Sequence, residues 1–200
     1  MEISQLGSGA VRLSARNVNL VCAPSPVKLA SGILALTDAS SDTATANPEV
    51  MVIDGPGEYE VGGALITGVA GAPAAEAADS LKAPTSYVFA AEDVTVGYLA
   101  AGAGALGDQQ LEALGRVDVL VLPVGTGGFG PTAAATVIGQ IEPRYILPVP
   151  SAAASGADWA EPFLKEVGAK PEKVAKLRLA AKDLPEEPVV VLLDKEAAKS

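Results

Sequence analysis

The sequence predicts an α/β protein in which two β-sheets are sandwiched between helices. Its first half consists of short β-leaning runs separated by turn residues. Its second half alternates buried-strand patterns with helical patterns, which is typical of strand-helix-strand crossovers and parallel sheets. With 200 residues, no linker and no internal repeat, the chain suits one compact domain. We predict this domain over residues 1–194 and a solvated tail over residues 195–200.

The first half opens as a meander of strands. Gly7 to Gly9 separate the first two runs, and Ala15 to Asn17 separate the second run from the third. The polar stretch Asp38 to Asn47 and the Ala- and Gly-rich stretch Ala70 to Pro84 have no clear period and are predicted loops. The predicted strands are Glu2 to Leu6, Ala10 to Leu13, Val18 to Cys22, Gly32 to Thr37, Val50 to Ile53, Glu58 to Val61, Ala64 to Val69, and a hairpin of Thr85 to Ala90 with Val94 to Leu99.

The second half supplies the helices. Gly107 to Leu114 has leucines at helical spacing and is followed by the helix-stopping Gly115. Val117 to Val124 is a continuous apolar run, which predicts a strand buried on both faces. Pro131 is well suited to the first residue of a helix that reaches Ile141. The remaining predicted elements are a strand at Arg144 to Val149, a helix from Asp158 to Val167 ended by Gly168, and a strand at Pro188 to Leu193.

The most distinctive stretch of the chain is Asp54 to Val61, which reads Asp-Gly-Pro-Gly-Glu-Tyr-Glu-Val. Gly55, Pro56 and Gly57 predict a tight reversal between an apolar run and a half-exposed strand. A hairpin corner accounts for this pattern without any function.

Composition excludes several classes of partner. The 24 acidic and 14 basic residues give a formal charge of −10, which repels nucleic-acid backbones and anionic lipid headgroups. The single cysteine, Cys22, cannot form an internal disulfide, and no apolar run approaches the length of a membrane helix. The N-terminus lacks the basic region of a signal peptide. We therefore expect a cytoplasmic, soluble protein that binds neither nucleic acid nor membrane; it could form a homo-oligomer.

The chain contains no histidine. A Ser-His-Asp triad, a Cys-His pair and an imidazole-ligated zinc site all require that side chain. These three chemistries are excluded.

Two segments match the dinucleotide fingerprint G-x-G-x-x-G, and each follows a predicted strand and precedes a predicted helix. Neither of the strands that come next ends in the acidic residue that would hold a ribose hydroxyl. A nucleotide-binding module is therefore a third hypothesis only. The glycines concerned are Gly102, Gly104 and Gly107, and Gly125, Gly127 and Gly130.

Three further patterns have simple structural explanations. Ser25 and Lys28 match S-x-x-K, but no helical run follows, so we predict a loop. Cys22 has no base to activate it and is expected in the core. An acidic cluster suits a hard cation such as Mg²⁺ or Mn²⁺, but its spacing matches neither an EF-hand nor another compact cage, so a solvated polar loop explains it better. The cluster comprises Asp38, Asp42, Asp54, Glu58 and Glu60, with the hydroxyls of Ser40, Ser41 and Thr43.

The octapeptide at Asp54 to Val61 resembles a signature of small zinc-dependent hydrolases of the metallo-β-lactamase fold, relatives of the ascorbate-phosphate lactonase group. The resemblance extends to Met1-Glu2-Ile3 with Leu6-Gly7, Val117 to Gly125, Ile141-Glu142-Pro143, Phe163 to Glu166 and Leu184 to Glu187. It implies a four-layer αββα sandwich.

The ligand positions of that family have changed in this chain. The first histidine of the family aligns with Ser8 of this chain. The metal-binding loop of the family, T-H-x-H-x-D-H, aligns with Thr37 to Thr43, so Asp38, Ser40 and Thr43 stand where the family has its three loop histidines. The metal-bridging aspartate aligns with Ala101 and the last histidine with Pro150, so only Asp42 is retained.

This resemblance implies a degenerate metal site. We expect a catalytically inactive relative that binds no cofactor and acts as a scaffold for a small molecule or a protein partner. The alternative is a hydrolase that holds Mg²⁺ or Mn²⁺ at Asp38 and Asp42.

Overall fold

Two β-sheets packed face to face form the body of the protein. The computed structural model describes residues 1–38, 47–71, 84–101, 105–154, 156 and 158–195. In these residues, three helices cover the outer face of the second sheet. This architecture agrees with the predicted α/β sandwich of the metallo-β-lactamase type.

The first sheet has six strands in the order β13-β1-β2-β3-β4-β5. β1 to β3 form the predicted antiparallel meander, and β4 and β5 add in parallel to β3. Its strands are β1 (Glu2–Gly7), β2 (Ala10–Ala15), β3 (Val18–Ala23), β4 (Gly32–Leu36), β5 (Val50–Ile53) and β13 (Leu177–Arg178).

The second sheet has eight strands in the order β12-β14-β11-β10-β9-β8-β7-β6. β6 to β9 are antiparallel, whereas β9, β10, β11, β14 and β12 are parallel. The carboxyl ends of the parallel strands therefore meet at one edge. The strands are β6 (Gly57–Val61), β7 (Ala64–Ala70), β8 (Thr85–Ala91), β9 (Val94–Tyr98), β10 (Val119–Val124), β11 (Tyr145–Pro150), β12 (Glu172–Val174) and β14 (Val189–Leu193).

The helices are short. They are α1 (Asp108–Leu114), α2 (Pro131–Ile141) and α3 (Glu161–Val167), and a 3-10 turn spans Ala181–Asp183. None of the helices in the described ranges is long and apolar enough to cross a membrane. The first two helices match the prediction, with Pro131 opening α2 and Gly115 following α1.

The third helix begins later than predicted. The carbonyl of Asp158 accepts the amide of Glu161 at 3.1 Å, so residues 158 to 160 form a tight turn and the helix starts at Glu161. Pro162 lies in the first helical turn, and Gly168 ends the helix as predicted.

Strand alternation divides the core into layers. In β10 every residue is buried, as its apolar run predicts. Val119 and Val121 face the first sheet, whereas Leu120 and Leu122 face the helices. A third cluster, which includes Val21 and other residues of β2 to β4, lies on the outer face of the first sheet.

The octapeptide carries the chain from one sheet to the other. β5 belongs to the first sheet and β6 to the second, so the turn between them is a crossover and not the hairpin corner that its pattern suggested. The turn packs on Gly68 of β7, where a Cβ would lie 2.6 Å from the carbonyl oxygen of Gly55. Because this contact requires a bare backbone, the turn is fixed against the second sheet.

Two short strands, β12 and β13, were not predicted. Glu172 to Val174 is too short and too polar to show a strand period, and it becomes a strand by pairing with Val191 to Leu193. Leu177 and Arg178 pair with Ile3 and Glu2 of β1 in the same way. Tertiary pairing therefore determines both elements.

Candidate functional site

The described positions that correspond to the family's metal ligands lie at one edge of the sandwich. Pro150 is the last residue of β11, and Ala101 follows β9, both at the carboxyl edge of the parallel strands. Ser8 lies in the turn between β1 and β2, and Asp38 follows β4. The other three positions, Ser40, Asp42 and Thr43, fall outside the described residues.

Tyr98 holds the β1–β2 turn against the second sheet. Ser8 and Gly9 form this two-residue turn, with φ of 50° and 79°. The buried hydroxyl of Tyr98 donates to the carbonyl of Gly9 at 2.8 Å. A Cβ on Gly9 would lie 3.0 Å from the carbonyl oxygen of Pro150. Ser8 and Pro150 are therefore neighbours across the two sheets.

A second pair of contacts joins the segments that carry Asp38 and Ala101. The amide of Thr85, at the start of β8, donates at 3.0 Å to the carbonyl of the residue before Asp38. The hydroxyl of Ser86 accepts, also at 3.0 Å, the amide of the residue before Ala101. Both segments are therefore held against β8.

Their chemistry does not fit a zinc centre. Zinc in proteins takes three or four ligands from imidazole, thiolate or carboxylate groups. Among the four positions, Asp38 alone has such a group, since the others present a hydroxyl, a methyl and a pyrrolidine ring. Within the described residues, His, Cys, Asp and Glu form no group of three that could hold a metal ion.

The buried ionisable groups near this edge stay protonated. Burial, with a smaller effect from nearby Cys22, raises the pKa of Tyr98 far above its ordinary value. Burial also raises the pKa of the Cys22 thiol to about 12. The pKa of Tyr87 is raised mainly by burial, and its hydroxyl donates to Leu36 O at 3.1 Å and Ile53 O at 3.3 Å. None of these groups is a base near neutral pH.

A cleft of about 340 Å³ opens beside Ser8 and Pro150. It lies where β1, β11, β14 and β12 end, and the buried residue Gln5 contributes to its lining. Trp159, Lys173 and Lys195 contribute further. Asp38 and Ala101 are not part of this lining.

These lining residues were not identified from the sequence. Gln5 carried a signal, because Ile3 and Gln5 share one face of a predicted strand and a polar residue is unexpected on a buried face. Lys173 and Lys195 carried none, since β12 was not predicted and Lys195 was assigned to the tail. Lys195 instead forms a β-bridge with Gln5, and residues 196–200 lie outside the described part.

The second glycine fingerprint has packing explanations in the structure. Gly125 and Gly127, in the β10–α2 loop, have φ of 93° and 78°. A Cβ on Gly125 would lie 3.1 Å from the Cβ of Ala154, and one on Gly127 would lie 3.2 Å from that of Ala153. The two glycines thus allow two loops to touch. Gly125 and Gly130 also border a cavity of about 260 Å³ beside α3.

The other predicted motifs are placed as follows. Ser25 and Lys28 lie in the irregular β3–β4 segment, which confirms the predicted loop. Gly107 precedes α1 as its N-cap, whereas Gly102 and Gly104 fall outside the described residues. The four described carboxylates of the acidic cluster are not part of any group of three that could hold a metal ion within the described residues, and Asp42 falls outside them.

Comparison with solved structures identifies relatives of the same fold. A proposed zinc-dependent hydrolase of the metallo-β-lactamase superfamily from Thermotoga maritima is 26% identical, with a TM-score of 0.76, and the match covers 96% of this chain and 98% of that one. The isothiocyanate hydrolase from Delia radicum gut bacteria is 11% identical with a TM-score of 0.61, covering 90% and 100% of the two chains.

A more distant match is CmlA, a diiron β-hydroxylase from Streptomyces venezuelae, at 10% identity and a TM-score of 0.61. It covers 96% of this chain but 52% of CmlA, so this chain spans about half of that enzyme's length. At these low identities the last two matches establish the fold alone. No curated protein matches the sequence.

The sequence also matches the family described as the beta-lactamase superfamily domain, over residues 2–150. That range holds Ser8, Asp38, Ala101 and Pro150, together with the turn at Asp54. The chain therefore belongs to the β-lactamase superfamily and has the metallo-β-lactamase fold.

Proposed function

We propose that this protein keeps the metallo-β-lactamase fold as a binding scaffold and does not carry out the hydrolysis for which related proteins use zinc. The observation that carries the proposal is the chemistry of the four described positions that align with the family's metal ligands. Only Asp38 has a side chain that binds metals, whereas Ser8, Ala101 and Pro150 do not offer a zinc ligand. The contacts of Tyr98 and Thr85 that gather these positions are intact. These observations support the proposal that the scaffold is kept while the ligands are replaced.

The proposal follows from how zinc hydrolases activate water. The metal lowers the pKa of its bound water and polarises the scissile bond. Without such a metal, a side chain must act as the base with a pKa near neutrality. The buried Tyr98 and Cys22 have raised pKa values and remain protonated, so neither is available. We therefore propose a pseudoenzyme that binds a small molecule or a protein partner, without cofactor, in the cytoplasm.

A turnover assay tests this proposal. Purified protein is incubated with a phosphodiester, a lactone and a β-lactam, each with Zn²⁺, Mn²⁺ or Mg²⁺ and with EDTA. We expect no hydrolysis above background in any combination. We also expect EDTA to leave the melting temperature unchanged, because a core of this size needs no structural ion.

Asp42→Ala is the matched variant. If wild type hydrolyses a substrate with added Mg²⁺ or Mn²⁺ and Asp42→Ala does not, the protein is a carboxylate-based metal hydrolase that uses Asp42 and Asp38. A fall in melting temperature with EDTA that one divalent ion reverses would support the same alternative. Hydrolysis that is equal in both proteins, and that follows the protein through a second purification step, would also refute the proposal and would indicate a catalytic site that does not use Asp42.

A further inference from the structure

The cleft beside Ser8 contains a polar group that the protein leaves without a partner. Gln5 is 5% exposed, and strand alternation places it on the same face of β1 as Ile3, between the two sheets. In the described part of the chain its side-chain amide has no hydrogen bond, although every fully enclosed polar side-chain atom there has one. The amide must therefore face the open space of the cleft.

A buried, unpaired amide lowers stability. Buried polar groups in folded proteins are nearly always hydrogen-bonded, whereas Gln5 is 5% exposed and its amide meets only the solvent of the cleft, so it is partly desolvated without a protein partner. An apolar residue at position 5 would avoid the cost of this desolvation and would continue the apolar face that begins at Ile3. Gln5 is thus explained if its amide binds a ligand that enters the cleft.

Two lysines give the cleft a positive charge. The side chain of Lys195 crosses Gly7, where a Cβ would lie 2.7 Å from Cε and 3.2 Å from Nζ. Lys173, on the edge strand β12, also lines the cleft. Neither lysine forms an ion pair with a described residue, and Asp194 is the acidic side chain of the lining. Two ammonium groups against one carboxylate leave a net positive charge in a chain of formal charge −10.

The remaining lining is largely apolar. Trp159, Leu192 and Pro150 provide an indole and aliphatic surfaces, and Ser8 adds a hydroxyl at the rim. A volume of about 340 Å³ lies at the lower end of the range of small-molecule sites. The cleft therefore combines a charged and hydrogen-bonding end with an apolar wall.

We propose that this cleft binds a small organic monocarboxylate. Its carboxylate accepts hydrogen bonds from the Gln5 amide and the ammonium groups of Lys173 and Lys195, and its apolar body packs on Trp159. The single negative charge of a carboxylate balances the net positive charge of the lining. A phosphate monoester carries about two negative charges and would be repelled by the acidic chain. This inference rests on the proposed function, because it names the ligand class of the same scaffold.

Binding of matched probes tests the ligand class. The probes are 3-phenylpropionate, 3-cyclohexylpropionate and hexanoate, each with its neutral amide, together with 2-phenylethyl phosphate. Trp159 is the only tryptophan of the chain, so its fluorescence reports binding, and calorimetry gives the affinity. We expect millimolar or tighter binding of at least one carboxylate, as is usual for fragments of this size. Its amide should bind at least about tenfold more weakly, because hydrogen bonds to charged groups are the stronger ones.

Variants test the site. Gln5→Met keeps the size of the side chain and removes the amide. It should weaken carboxylate binding about tenfold while leaving the melting temperature unchanged or raised, since the amide has no internal bond to lose. Lys173→Gln and Lys195→Gln should each weaken binding about fivefold, as expected for one exposed charge. Lys170→Gln, an exposed lysine outside the cleft, should have no effect.

Three outcomes overturn the inference. One is that no carboxylate binds more tightly than its amide, which includes the absence of all binding. Another is a lower melting temperature of Gln5→Met with unchanged affinity, because Gln5 would then have a purely structural role. Preferential binding of the phosphate would also contradict it. If a carboxylate binds as expected but the protein also hydrolyses a substrate in the presence of a metal ion, the proposed function fails and the carboxylate site stands.

Discussion

Removal of one hydroxyl from Tyr98 should loosen the site without changing the core. The Tyr98 ring is fully buried between the sheets, and its hydroxyl donates to Gly9 O at 2.8 Å. Tyr98→Phe keeps the ring and removes the bond between β9 and the β1–β2 turn. The turn would then be free to move relative to Pro150. Because Ser8 and Pro150 both line the cleft, this movement would change the shape of the cleft.

The magnitude follows from the burial of both partners. A hydrogen bond contributes about 1 kcal/mol net, and more is lost when a buried acceptor is left without a donor. Gly9 is buried, so we expect Tyr98→Phe to lower the free energy of unfolding by about 1–2 kcal/mol. For a chain of this length that loss lowers the melting temperature by about 2–8 °C.

Tyr87→Phe is the matched control. The ring of Tyr87 is equally buried, and its hydroxyl reaches two carbonyls of the first sheet, Leu36 O and Ile53 O, which lie outside the cleft lining. Calorimetric melting should show a similar loss of stability for both variants. Titration with 3-phenylpropionate should show weaker binding for Tyr98→Phe alone.

The reasoning fails if Tyr98→Phe is as stable as wild type, because the bond to Gly9 would then contribute nothing. It also fails if the two variants weaken carboxylate binding equally. In that case a general loss of rigidity, and not the position of the Ser8 turn, would control the cleft.

Two further predictions concern the acid side of the stability curve and the glycine loops. Hydrogen bonds from Lys176 and Arg178 lower the pKa of Glu2 from 4.5 to about 2, so the stabilisation is present above pH 4.5 and is lost as pH falls towards 2. Glu2→Gln should therefore have a free energy of unfolding lower than that of wild type by about 1 kcal/mol or less near neutral pH, and the two proteins should be equally stable near pH 2. A difference that stays constant across this pH range would contradict the lowered pKa of Glu2. Millimolar NAD, FAD or ATP should leave the melting temperature unchanged, since Gly125 and Gly127 serve packing. A saturable rise would refute that role.

Patterns of local origin were predicted well from the sequence. The apolar run of β10 and the proline at the start of α2 specify their elements without help from the rest of the chain. These features depend on a few residues close in sequence, which is why they can be predicted.

The cleft could not be predicted because its residues are far apart in the chain. Lys173 reaches it when β12 pairs with β14, and Lys195 reaches it through the bridge with Gln5. Neither short segment has a strand pattern of its own. The crossover from β5 to β6 after Asp54 could not be predicted either. A turn sequence specifies a chain reversal, but it does not specify which sheet the next strand joins.

The pairing of β1 with β13 has a consequence for how quickly the protein folds. Glu2 and Arg178 are 176 residues apart in sequence, yet they form a register pair at the edge of the first sheet. Closing so long a loop must precede the contacts that reward it, and chains dominated by such distant pairings fold in milliseconds to seconds. During synthesis, the edge of β1 at Glu2 and Ile3 stays unpaired until residues 177–178 emerge, and an unpaired strand edge is a site at which another chain can pair.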